Sequence, residues 1–148
     1  MIKQLRVAIG LIIALSTAPV LADIKTNVTI AAPWEVASFD PAVAGFALQK
    51  LQIMENLVDA DATGILRSGL ATEWSASEDG LTWEFTLRNG VIFHDGTPLN
   101  VDAAVFALDR ALQQPGVLKK APISKISGSN GKIIFTLETP FTALPAFL

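Results

Sequence analysis

The 148-residue sequence has no cysteine, no tyrosine and a single histidine. Without cysteine there can be no disulfide, thiol nucleophile, iron–sulfur ligation or cysteine-based zinc site, and no lipid anchor carried on an N-terminal cysteine. One histidine excludes a metal site built on a histidine cluster. It leaves His94 as the sole imidazole available to a Ser–His–Asp arrangement. No serine stands in a Gly-x-Ser-x-Gly elbow to be its nucleophile, and Gly128, Gly131 and their neighbours fit neither glycine-rich phosphate pattern. Positive charge is scarce too. Eleven basic residues against fourteen acidic give a net charge of −3, and no lysine/arginine cluster offsets it, so nucleic acid is excluded as a partner.

What is present begins with an address label. Residues 1–6 (MIKQLR) carry Lys3, Arg6 and the α-amino group; residues 7–15 (VAIGLIIAL) are apolar; residues 16–22 (STAPVLA) turn small and more polar. Val20 and Ala22 occupy the −3 and −1 positions of a signal-peptidase site. This is the order of a secretory signal peptide. A membrane span needs roughly 20 apolar residues, and Ser16, Thr17 and Pro19 interrupt the run well before that. Cleavage after Ala22 leaves 126 residues from Asp23 and moves the net charge to −5, because Lys3 and Arg6 leave with the signal. An acidic, exported, cysteine-free chain points to a bacterial periplasm, free of a lipid tether.

In the remainder, residues 27–31 (NVTIA) alternate and predict a first strand. Asp40-Pro41 marks a helix start, and the 3–4 spacing of Phe46, Lys50, Ile53 and Leu57, with Val43, Ala47 and Met54, predicts a helix to about Asn56, buried on more than one side. A strand starting at Leu57-Val58, a turn over 59–64 and a returning strand over 66–74 follow. Residues 81–87 (LTWEFTL) alternate most cleanly, with Leu81, Trp83, Phe85 and Leu87 facing the core. A second helix is expected from Val101, capped by Asn100, to Gln114, where Pro115-Gly116 stops it. A hairpin is expected from 123–126 and 132–137 around Asn130-Gly131. The class is α+β. The last ten residues (TPFTALPAFL) carry no charge and read as the start of an apolar helix.

Each candidate chemistry has a plainer competitor. Asp59, Asp61, Thr63 and Gly64 match the first half of a calcium loop, but position 12 is Leu70 where a bidentate glutamate is needed, and the flanks read as strands, so a turn is the better account. Glu78 and Asp79 are neighbours in a turn, without the split environments that an acid–base pair requires. His94-Asp95 has no nucleophile to serve, and a locally bonded loop histidine explains it. Trp83 and Trp74 are core candidates. Trp34, in an irregular stretch between Pro33 and Glu35, is the aromatic placed to line a cleft. No catalytic residue, metal ligand or cofactor site emerges.

Residues 69–74 (GLATEW), 77–88 (SEDGLTWEFTLR) and 90–98 (GVIFHDGTP), followed by a capped helix, resemble the N-terminal region of the periplasmic solute-binding proteins of peptide- and nickel-type ABC transporters, the bacterial extracellular solute-binding family 5. Residues 35–41 (EVASFDP) resemble that family's segment before the first helix, and residues 54–58 (MENLV) its helix end. The resemblance covers 27–148, its specific part being 74–98. It implies a two-lobed clamshell, of which residues 23–148 would be an N-terminal, incomplete portion of lobe I. It also implies a binding protein rather than an enzyme, delivering a solute to a membrane permease and ATPase complex. The motif around His94 and Asp95 would be framework. The segment before the first helix would border the cleft and add its backbone to a bound peptide. On this sequence that carries over to Glu35, Val36 and Ala37, with Trp34 added here. A peptide or peptide-like small solute is the expected ligand. The nickel branch lacks a histidine outside the framework motif and an aromatic-plus-arginine cluster in 114–121. The alternative is a non-transporting fragment or interaction domain that binds no ligand on its own.

Overall fold

The computed structural model describes residues 29–148 apart from positions 32, 34 and 37. The signal-peptide assignment, positions 27 and 28 of the first expected strand, and two of the four candidate site residues, Trp34 and Ala37, therefore lie outside the described residues. Thr29, Ile30 and Ala31 carry no helix or strand, so the strand expected there is not formed over these three. The unit that follows is Pro33–Leu148.

Its centre is a four-stranded antiparallel sheet: β3 (Ala71–Ala76), β4 (Thr82–Leu87), β5 (Ile123–Ser129) and β6 (Lys132–Leu137) in the order β3-β4-β6-β5. The alternation read in 81–87 is what the sheet uses. Trp83, Phe85 and Leu87 are buried while Thr82, Glu84 and Thr86 are partly open, and β6 repeats the pattern with Ile133, Phe135 and Leu137. The register sets Phe85 opposite Ile133 and Trp83 opposite Phe135. Phe85 is the hub: it meets Phe135 edge-on at 5.3 Å and stacks with Trp74 and Trp83 at 6.4 and 6.1 Å. Such pairs add about 0.5–1.5 kcal/mol beyond area burial. The Nε1 of Trp83 is buried with no hydrogen-bond partner among the described residues, a cost of about 1–3 kcal/mol that its packing must outweigh.

Helix α2 (Val101–Gln113) covers this face. Asn100 caps it as expected, its Oδ1 accepting from the Ala103 N–H at 2.8 Å. Ala104 is buried, and Val101, Val105, Leu108 and Leu112 pack against the core. The β5–β6 hairpin closes through Asn130 and Gly131, both at positive φ (51° and 76°), the primed turn that Asn-Gly favours. Gly128 on β5 allows α2 to approach, since a Cβ there would lie 2.1 Å from Val101 Cγ1. The apolar C-terminal segment forms a short 3-10 turn (Leu144–Phe147) in place of an α-helix, with Leu144 fully buried.

Two further elements differ from expectation. Helix α1 (Pro41–Lys50) stops six residues before Asn56 and is interrupted at Ala44. It ends in a Schellman pattern: Ile53 N–H donates to Leu48 O, Gln52 N–H donates to Gln49 O, and Gln52 adopts φ 55°. No glycine or proline announces that stop. Among its described side chains the helix buries Ala44, Ala47 and Leu48, whereas Phe46 is 67% exposed and Ile53, beyond the helix end, 45%. The single strand expected over 66–74 is two. Strand β2 (Leu66–Ser68) pairs with β1 (Val58–Ala60), and the chain then turns at Gly69-Leu70 into β3. The turn is held by Gly69 and Ala71 N–H groups donating to Leu57 O and by Leu70 N–H donating to Asn56 O.

Candidate functional site

The extended segment before α1 is anchored at its far end. Ser38 Oγ accepts from the Asp40 N–H at 3.0 Å, and Asp40 O accepts the first helical bond, from Ala44 N–H at 2.9 Å. The Asp40 carboxylate takes both guanidinium nitrogens of Arg110, at 2.5 and 3.3 Å, which ties the start of α1 to the last turn of α2 across seventy positions of sequence. Of the four sequence-predicted site residues, Glu35 and Val36 are described. Both are exposed and lie outside any helix or strand. Arg110 was not anticipated; a lone arginine on a polar helix face gives no sequence signal for a partner so distant.

The three acidic turns are self-contained. Asp61 Oδ1 accepts from Thr63 N–H (2.9 Å), Thr63 Oγ1 (2.6 Å) and Ile65 N–H (3.1 Å), and its Oδ2 takes Arg67 Nη2 and Nε at 2.8 and 3.0 Å. The hydroxyl and N–H of Thr63, with help from Arg67 and Ile65, lower its pKa from 3.8 to about 2. Both of its oxygens are thus engaged in holding the turn. Asp79, bonded by Ser77 Oγ and Leu81 N–H, and Asp95, bonded by Thr97 N–H and Oγ1, are held below the usual carboxylate range in the same way. Glu78 lies exposed beside Asp79 in its turn. Among the described residues no group of three or more histidine, cysteine or acidic side chains could hold a metal ion. The bond of His94 is long-range where a local one was expected: Nε2 lies 3.0 Å from Ile53 O, docking the 91–99 loop on the turn after α1.

That turn forms one wall of two adjoining cavities, of about 590 and 390 Å³, between the end of α1 and the β1–β2 hairpin. Gln49, Gln52, Asn56 and Asp59 line both. Val58, Leu66, Val117 and Phe147 add an apolar end to the larger. Nothing in the sequence marks these residues as neighbours, because the helix stop at Gln52 that gathers them is itself unannounced.

Residues 66–148, more than half of the chain, match the family model described as bacterial extracellular solute-binding proteins, family 5 Middle. A glutathione-binding protein of Escherichia coli O6:K15:H31 is 32% identical over 93% of this chain and 28% of its own length. A nickel-binding periplasmic protein of Escherichia coli K12 is 33% identical over 70% of this chain and 20% of its own. Among solved structures, the PBP AgaA in complex with agropinic acid, from A. tumefacien R10, superposes with a TM-score of 0.66 at 27% identity, over 77% of this chain and 25% of that one. The chain thus spans roughly a quarter of the length of the proteins it matches.

Proposed function

The chain belongs to the bacterial extracellular solute-binding proteins, family 5, and from that premise we propose that it serves an ABC importer, capturing a peptide or peptide-like small solute and presenting it to the permease and ATPase complex at the inner membrane. The observation that carries the reading is the family match over 66–148, with an α+β fold that superposes on a ligand-bound relative. Glutathione, the ligand named for one relative, is itself a tripeptide and favours the peptide class. The nickel-binding relative keeps a nickel chelate as the competing solute, but the single histidine is committed to Ile53 O.

In this reading residues 1–22 are a cleaved export signal and 23–148 belong to the first lobe, working in the periplasm without catalysis. No helix among the described residues is long and apolar enough to cross a membrane. The segment holding Trp34, Glu35, Val36 and Ala37 borders the solute, offering its backbone to a peptide main chain, while Asp40–Arg110 fixes where the segment enters α1. Main-chain pairing gives affinity with little reading of side chains.

The test is thermal unfolding of the purified chain with a tripeptide panel that includes glutathione, and with nickel–histidine as the competitor. A specific ligand at a hundredfold excess over its Kd adds about 2.7 kcal/mol. Val36→Pro, which removes one N–H from the segment without touching the core, should weaken that shift. No shift with any peptide refutes the reading and leaves a non-binding interaction module; a shift with nickel–histidine alone moves the solute to the chelate class.

A further inference from the structure

Asn-Gly occurs at 89–90 and again at 130–131, and the fold holds the two pairs differently. The pair has a chemistry of its own. Glycine has no side chain to shield its amide nitrogen, so that nitrogen can reach the side-chain carbonyl carbon of the asparagine before it. Reaction needs the peptide between the two residues to rotate until nitrogen and carbon face each other.

At 130–131 the backbone resists that rotation. Asn130 and Gly131 stand at φ 51° and 76°, and Ser129 pairs with Lys132 across the turn. Gly131 O accepts from the Leu87 N–H at 2.9 Å. With Asn130 at positive φ, turning the peptide carries it into a region that is essentially reserved for glycine, so the hairpin must open first. Asn89-Gly90 is held only at its flanks. Arg88 N–H donates to Leu70 O at 2.8 Å, and Val91 O accepts from Leu99 N–H at 2.9 Å. Between these anchors the Asn89 side chain and the Gly90 N–H make no hydrogen bond among the described residues. Both residues are exposed, and beyond its chain neighbours nothing lies within 4 Å of where a Cβ on Gly90 would stand. Asn89 is not at positive φ, so its peptide can turn through the broad allowed β region.

We infer that Asn89 is a site of spontaneous deamidation in the folded protein, and that its hairpin protects Asn130, which carries the same Asn-Gly pair. The Gly90 nitrogen attacks Asn89 Cγ, and the side-chain nitrogen leaves as ammonia with the proton that Gly90 gives up. Water then opens the resulting succinimide at either carbonyl, to aspartate or to an isoaspartyl linkage. Either product places a new negative charge beside Arg88, whose guanidinium donates to Gly69 O and lies 3.8 Å from Glu55. The isoaspartyl product also lengthens the main chain between β4 and the 91–99 loop that His94 docks on Ile53 O. None of this depends on the solute.

The experiment ages the purified chain in mildly alkaline buffer, folded and in unfolding urea, and reads conversion at each asparagine by peptide mapping with mass spectrometry. In the folded chain Asn89 should convert at least about tenfold faster than Asn130, the factor that about 1.4 kcal/mol of hairpin opening imposes. In urea the two rates should converge, since only the shared Asn-Gly chemistry is left. Asn89→Gln, whose extra methylene rules out the five-membered ring, should stop conversion at 89 and leave Asn130 as it was. Hydrogen exchange at the Leu99 N–H should quicken in the isoaspartyl fraction; unchanged exchange there removes the structural consequence. Equal rates in the folded chain, a faster Asn130, or an Asn89 that converts only in urea overturns the inference. A ratio that persists in urea overturns it too, because the flanking residues Arg88 and Ser129 would then set the difference and not the fold.

Discussion

Replacing Gly128 by alanine should destabilise the protein by a route that can be isolated. An added Cβ would lie 2.1 Å from Val101 Cγ1 and 3.4 Å from Val105 Cγ2. Carbon atoms rest about 3.5–4.0 Å apart, so the first contact is short by roughly 1.5 Å. Val101 has no flexible end to swing away: its γ carbon is set by a stiff β-branched χ1 in the first turn of α2. The strand cannot yield cheaply either, since Gly128 pairs with fully buried Ile133. Overpacking of this kind costs about 1–3 kcal/mol, and the gain from replacing a strand glycine returns less than about 1 kcal/mol. We expect a net loss of about 2 kcal/mol, or roughly 8 °C in Tm for a unit of this size. Urea unfolding followed by tryptophan fluorescence reads it directly. Val101→Ala removes the colliding carbon and should cost about 1 kcal/mol alone, as a partly buried side chain losing two methyl groups. The double variant should then be no less stable than Val101→Ala, a coupling of about 2 kcal/mol or more in a double-mutant cycle. A neutral Gly128→Ala, or additive losses, would refute the argument that this glycine is there for helix approach.

Two further outcomes follow from the geometry. Asp61, Asp79 and Asp95 have folded-state pKa values below the ordinary 3.8; their contribution is therefore present above pH 4 and is lost as pH falls toward about 2, the value for Asp61. Acid unfolding should show stability declining over that window, and Asp61→Asn should flatten the slope; an unchanged slope would contradict the assignment. Arg110→Ala should cost no more than about 1 kcal/mol, because the ion pair with Asp40 is half open to solvent, yet hydrogen exchange should quicken at the Ala44 N–H that bonds Asp40 O. A loss above about 2 kcal/mol, or unchanged exchange at Ala44, would show that the pair does something other than anchor the segment.

Local physics made several elements legible. The alternation in 81–87 has only one reading, because period-two burial places every apolar side chain on one face. Asn100 before an apolar i, i+4, i+7 series, and Asn130-Gly131 between two β-branched runs, likewise specify their own backbone. The family motif over 74–98 was readable for the same reason: it is a β-hairpin and a helix entrance written in neighbouring residues. The candidate site was less legible. Glu35 and Val36 come from family resemblance alone, and both lie on the surface outside helix and strand.

What the sequence by itself determined was therefore the α+β class, the central hairpins, the second helix and the family, since each depends on residues close together in the chain. Only the tertiary structure decided where α1 stops, that the strand over 66–74 divides at Gly69-Leu70, and which distant groups meet. Gln52 turns left-handed because its amide and that of Ile53 can close on Gln49 and Leu48 carbonyls while His94, forty-one positions later, holds Ile53 O. Asp40 finds Arg110, and Gln49 finds Asp59, through packing of elements that share no local pattern. Such contacts depend on how faces and ends of elements are brought together in space, and that information is spread over the whole chain.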